Sequence, residues 1–154
     1  MAVRFTPGAV LRLSLADHQT AYALMLSVEP YFAFYRGGED TPVEEALRND
    51  PVFIVMVGKS AYSRGGWGPV IHRVPKDELP ALPLVFRQNP VNPNLCFLVD
   101  PAGNATRVAP AEVVGYERET AWSAVHLESR LNDLFAGRPN AAEIAMRPNL
   151  GSGE

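Results

Sequence analysis

Three histidines, one cysteine, a glycine-rich run and a band of carboxylates are the residues of this 154-residue chain whose types could do chemistry. His18, His72 and His126 lie far apart with no short metal-ligand spacing such as His-Glu-x-x-His, so the sequence builds no metal site. Cys96 sits in Leu95-Cys96-Phe97-Leu98, a buried-strand context in which a thiol is packing rather than a nucleophile. As the only cysteine, it allows neither an intramolecular disulfide nor a cysteine-rich zinc centre. Gly65-Gly66-Trp67-Gly68 lacks the Lys-Ser/Thr of a phosphate loop and the spacing of a dinucleotide-binding turn. It reads as a turn holding one large aromatic, whose other use would be a partly exposed anchor at a partner surface, because Trp is enriched among residues that carry binding energy. Glu128 falls inside the apolar arc of the last helix, where an unpaired carboxylate is costly, so an arginine partner is expected. A catalytic acid there is not expected, since no motif places a second carboxylate or a nucleophile beside it. A small enzyme would require Glu128, His126 or His72 to meet in one polar pocket. No catalytic residue, cofactor or metal is therefore expected.

The charge pattern is more informative. Residues 39–50 hold Glu39, Asp40, Glu44, Glu45 and Asp50 against Arg48 alone. Such a stretch can be a solvated loop and helix, or an electrostatic surface for a partner. Acidic side chains beside Tyr31, Tyr35 and Trp67 would steer in a basic protein and supply aromatic anchors. The candidate partner-binding residues are Tyr35, Glu39, Asp40, Glu44, Glu45 and Trp67. Across the chain, 14 Lys and Arg against 17 Asp and Glu leave a net charge of −3 without a basic cluster, which disfavours nucleic acid and anionic membrane as ligands. The longest apolar runs, such as 51–58, fall short of the ~20 residues of a spanning helix. With no basic-then-apolar signal pattern at the N-terminus either, a cytoplasmic protein is expected.

The elements that would position these residues are mostly strands. Fourteen prolines and twelve glycines favour many short elements over a helical bundle. Residues 8–36 read as a three-stranded meander, with Leu11, Leu13 and Leu15 on one face, then Tyr22, Leu24, Leu26 and Val28, then the aromatic run Tyr31 to Tyr35. Thr41-Pro42-Val43-Glu44 reads as a helix start, with Thr41 as N-cap. The unbroken run Val52 to Val57 predicts a strand buried on both faces at the centre of the sheet. A short strand is expected near Leu84 to Arg87. A hairpin follows, in which Leu95 to Val99 and Ala105 to Val108 flank the Asp100 to Asn104 turn. The long helix is expected over 119–136, ended by Gly137 and Pro139, with Ala121, Ala124, Val125, Leu127, Leu131, Leu134 and Phe135 in one arc. Trp122 lies outside that arc and is expected under a covering loop. These elements predict a mostly β fold with one helix. It is a bent antiparallel sheet or partly open barrel of five to seven strands, packed by the C-terminal helix, with a single domain over 1–140 and a poorly ordered tail over 141–154.

Taken together, the segments resemble the Immunity protein 26 family of bacterial polymorphic-toxin systems. The resemblance is carried by Gly8-Ala9-Val10-Leu11-Arg12-Leu13 with Ala21-Tyr22-Ala23, by Ala33-Phe34-Tyr35, by Val52 to Val57 and by Trp67. Its most specific part is Gly115-Tyr116-Glu117 followed by Ala121-Trp122, Arg130-Leu131 and Ala136-Gly137-Arg138-Pro139-Asn140. It implies a small, mostly β domain that neutralises a co-encoded toxin by direct binding, and it brings no catalytic motif. Trp67, Trp122, Glu117 and Arg130 are then expected to maintain the fold, and 37–50 to meet the toxin. The rival reading is a general interaction or regulatory module without a toxin partner.

Overall fold

The computed structural model describes residues 2–38 and 40–151, and Glu39 lies outside the described residues. The fold is mostly β, with two sheets that are not closed into a barrel. The chain forms two compact units, Met1–Leu82 with Ala121–Asn140, and Pro83–Thr120 with Ala141–Glu154.

In the first unit, β1 (Ala9–Ser14), β2 (Thr20–Met25) and β3 (Tyr31–Arg36) form the antiparallel meander read from the sequence, with Leu11 opposite Ala23 and Ala23 opposite Phe34. β4 (Phe53–Val57) pairs antiparallel with β3. Two short strands, β5 (His72–Arg73) against β1 and β10 (Ala121–Trp122) parallel to β4, complete the sheet in the order β10-β4-β3-β2-β1-β5. The centre is therefore β3 and β2 rather than the apolar run of β4. All six residues of β2 and five of the six in β3 are buried, whereas Ile54 and Met56 of β4 are half-buried. Alternation is masked in β2 because Thr20, Ala21 and Ala23 are small enough to be covered on either face.

Glycine is required at Gly8, just before β1. Its φ is +94°, and a Cβ there would collide with the Val74 carbonyl oxygen, where Val74 N–H donates back to Gly8. The core of this unit is aromatic. Phe32 and Phe34 stack at 6.3 Å between centroids, and Phe5, Tyr62, Trp67 and Phe53 surround them.

The helix α1 (Val43–Ala46) is one turn long, with Pro42 rather than Thr41 at the N-cap and no side-chain cap. The long helix, α2 (Ala124–Phe135), begins later than 119, because residues 121–122 are extended in β10 and Ser123 caps the helix through a 3.3 Å bond from His126 N–H. Gly137, at φ +71°, ends it as expected. Leu127 and Leu131 are fully buried, but Val125 is 75% exposed, so the buried face is narrower than the apolar arc.

In the second unit, β6 (Val85–Gln88), β7 (Cys96–Val99) and β8 (Ala105–Val108) are antiparallel neighbours, and β9 (Glu117–Arg118) joins β6 in parallel. The expected β7–β8 hairpin is closed by Asp100, whose carboxylate accepts from Ala102 N–H, Asn104 N–H and Asn104 Nδ2. Phe86, Cys96 and Val113 form a small core packed by Leu98 and Val108. The stretch after residue 140, read as a loose tail, holds a third helix, α3 (Ala141–Met146). No helix among the described residues is long and apolar enough to cross a membrane.

Candidate interaction site

The acidic connection between β3 and β4 is anchored from within and exposed outside. Ala46 of α1 is 1% exposed and ties the turn to the core. Gly37 leaves β3 by donating to Thr20 O at 2.8 Å, and a Cβ there would press on the Tyr22 ring. The chain re-enters at β4 through Val52 N–H to Phe34 O at 2.7 Å. Between these fixed ends, Asp40, Glu44, Glu45 and Asp50 are all exposed, with Arg48 beside them. The structure thus gathers Asp40, Glu44 and Glu45 on one connection, and Glu39 lies outside the described residues. His72 of β5 faces α1, with Nδ1 3.8 Å from a Glu44 carboxylate oxygen.

The aromatic candidates are placed elsewhere. Tyr35 is 3% exposed and Trp67 5%. Trp67 meets Phe34 edge-on at 6.0 Å and 90°, inside the aromatic core, so it plugs the unit rather than standing out as an anchor. Burial, helped by the charge of Asp50, raises the Tyr35 phenol above its ordinary range. The acidic connection has no exposed aromatic from this candidate set.

The residues weighed for catalysis also lie in separate settings. His126 is exposed on α2, Glu128 is half-buried on the same helix, and His72 is on β5. The charge held within the helix's buried face is Arg130, not Glu128. Its guanidinium carbon lies 4.0 Å from the Phe53 ring centroid and 4.9 Å from that of Trp122. Trp122 is accordingly covered, 5% exposed. Cys96 is fully buried, and burial pushes its thiol up and away from reactivity. Among the described residues no group of three or more His, Cys, Asp or Glu side chains could hold a metal ion.

Two clefts were not foreseen from the sequence. One, of about 520 Å³, is bounded by Arg12, Ser14, Asp17 and His18 at the β1–β2 turn. The other, of about 390 Å³, lies in the second unit between residues 114–117 and 143–150. The signal that could have located the second is the Glu143 and Arg147 pair, spaced i,i+4 as helical ion pairs are.

No family model, no curated protein and no solved structure matches the chain.

Proposed function

We propose that this protein is a bacterial immunity protein that neutralises a co-encoded polymorphic toxin by binding it directly, in the cytoplasm and without turnover or cofactor. The observation that carries this reading is the exposure of Asp40, Glu44, Glu45 and Asp50 on one short connection, held at both ends by the sheet. Residues 39–50 carry a net charge of −4 in a chain whose total is −3, leaving the remainder at +1. A charge so concentrated steers a basic partner to one place and not to the rest of the surface. The resemblance of the Gly115-Tyr116-Glu117, Ala121-Trp122 and Arg130-Leu131 segments supplies the class of partner, a toxin domain that carries basic residues on the face it presents.

The test is affinity capture with the tagged protein at low and moderate salt, followed by kinetics on the toxin domain encoded beside it. Glu44→Lys with Glu45→Lys is expected to slow association by about tenfold at low salt, with the difference shrinking as salt rises. Unchanged association and affinity would remove the acidic connection from the interface. Failure of the neighbouring toxin domain to bind at all would remove the immunity reading and favour a general interaction module.

A further inference from the structure

Among the described residues, β8 is the longest of the strands that edge the two sheets, with four residues against two each in β5, β9 and β10. Ala105, Thr106 and Arg107 are exposed, and the strand holds no proline that would remove an outward donor. The turn that closes the hairpin fixes which backbone groups face out. Asp100 N–H donates to Asn104 O at 3.0 Å, and in an antiparallel ladder bonded and non-bonded pairs alternate from there. Thr106 opposite Leu98 and Val108 opposite Cys96 are therefore the bonded pairs with β7. Ala105 and Arg107 turn their N–H and C=O groups away from it, and among the described residues nothing bonds to these four groups. The next residue that would face out, Ala109, is already closed on Glu112, its N–H donating to Oε2 at 2.7 Å and its carbonyl accepting from Glu112 N–H at 2.9 Å. The open edge is thus two outward residues long and holds its donors and acceptors in strand geometry before any partner arrives.

The side chains select the occupant. Residues paired across strands share a face, so Arg107, Phe97 and Arg87 form one row across β8, β7 and β6. At the inner end of that row Glu119 holds Arg87 at 2.7 Å. At the outer end, among the described residues, no carboxylate pairs with Arg107. A second copy laid antiparallel on this edge about Thr106 would put Ala105 opposite Arg107 and bring no carboxylate to it. A strand with Glu or Asp at that place would, at a distance where opposite charges attract and like charges repel. Thr106, on the other face, sits in a non-bonded pair of the added strand, where side chains approach most closely and β-branched residues pack well.

The geometry points to β8 as the acceptor of an added antiparallel strand, an extended segment of a partner protein with an acidic residue opposite Arg107 and a β-branched one opposite Thr106. Ala105 and Arg107 each exchange a pair of backbone bonds with it, and the Arg107 guanidinium meets its carboxylate. This site shares no residue with the acidic connection and stands whether or not the partner is a toxin.

The test is a titration of the isotope-labelled full chain with Ac-Thr-Glu-Val-Thr-NH2, whose Glu, Val and second Thr fall opposite Arg107, Thr106 and Ala105. One control carries Lys in place of Glu, and another is N-methylated at Glu and at the second Thr, which removes the two donors the added strand would use. Concentrations reach about 10 mM, because so short a strand binds only in the millimolar range. In the free protein, amide hydrogen exchange is expected to be fast at Ala105 and Arg107 and slow at Thr106 and Val108. At the highest peptide concentration the two fast amides should slow by about threefold, with shifts confined to β8 and its turn. The Glu peptide should bind about fivefold tighter than the Lys peptide, and Arg107→Gln, an exposed change that the fold tolerates, should remove that preference. The N-methylated peptide should not slow the two amides at all. Equal binding of all three peptides, no slowing at Ala105 and Arg107, or shifts centred on residues 40–50 would each overturn the site. So would protection of these two amides that rises with protein concentration in the absence of peptide, the mark of a second copy on this edge.

Discussion

The guanidinium of Arg130 is stacked on the ring of Phe53, 4.0 Å from its centroid, with Trp122 at 4.9 Å. A helix, a central-sheet neighbour and a short parallel strand are thus joined at one buried cation. Stacking on two aromatic faces uses the planar, weakly hydrated guanidinium, which an ammonium cannot imitate. Arg130→Lys is expected to cost about 1–2 kcal/mol in urea unfolding, and Arg130→Ala about 3 kcal/mol. A Lys variant as stable as the parent would show that charge alone suffices there.

The aromatic core holds two polar atoms that have no hydrogen-bond partner among the described residues, the Tyr62 hydroxyl and Trp67 Nε1. Tyr62 is 1% exposed, and burial, with a smaller contribution from the charge of Glu29, raises its phenol. A buried hydroxyl without a partner retains its desolvation cost and returns nothing for it. Tyr62→Phe is therefore expected to stabilise the protein by about 1 kcal/mol, raising the thermal midpoint by about 2–4 °C. A loss of stability on that change would mean the hydroxyl is engaged in solution.

What was legible in the sequence was local. Alternation at Leu11 and Leu13, the Asp100 to Asn104 turn and the Gly137 stop each act within a few residues, and each is found where read. Pairings made at long range left no such trace. Two residues, Ala121 and Trp122, suffice to dock β10 on β4, and they lie within what reads as helix. The division into two sheets has the same origin, since a period of two says that a strand exists and not which strand it joins. At the acidic connection, charge predicted exposure because ions resist burial. The aromatics carried no such information, for Tyr and Trp serve cores and interfaces alike. α3 was missed because six residues are too few to show a helical period.

At the β1–β2 turn, Gln19 N–H donates to Ala16 O at 3.1 Å, and the two residues between them are left-handed, Asp17 at φ 56° and His18 at φ 59°. The strands pair as far as Ser14 and Thr20, so both residues lie in the short loop that closes the hairpin, in a left-handed conformation that Asn and Gly adopt at lower cost. Asp17→Asn with His18→Gly is expected to add about 1 kcal/mol of stability without altering the sheet. If the urea midpoint stays unchanged or falls, the strain is offset by contacts that Asp17 or His18 make in solution.

Acid sensitivity should trace in part to Asp133. Its carboxylate accepts from Asn140 Nδ2 at 2.8 Å and from Arg138 Nε at 3.2 Å, and these bonds, the one from Asn140 foremost, hold its pKa below the ordinary carboxylate value. A folded-state pKa lower than the unfolded one contributes stability that is present above the unfolded value, near 3.9, and is lost as pH falls through the folded pKa. The parent should therefore lose stability as pH drops below about 4, and Asp133→Asn should show a shallower decline over that window. Asp100 is held low in the same direction by its bonds to Asn104, so part of the acid slope should survive the substitution. Urea midpoints measured from neutral pH to about pH 2 separate the two carboxylates, because Asp100→Asn should remove the remainder. An acid slope identical in parent and Asp133→Asn would mean that Asn140 binds the neutral acid as well as the ion, and that the bond orients α2's C-terminal turn without being linked to protons.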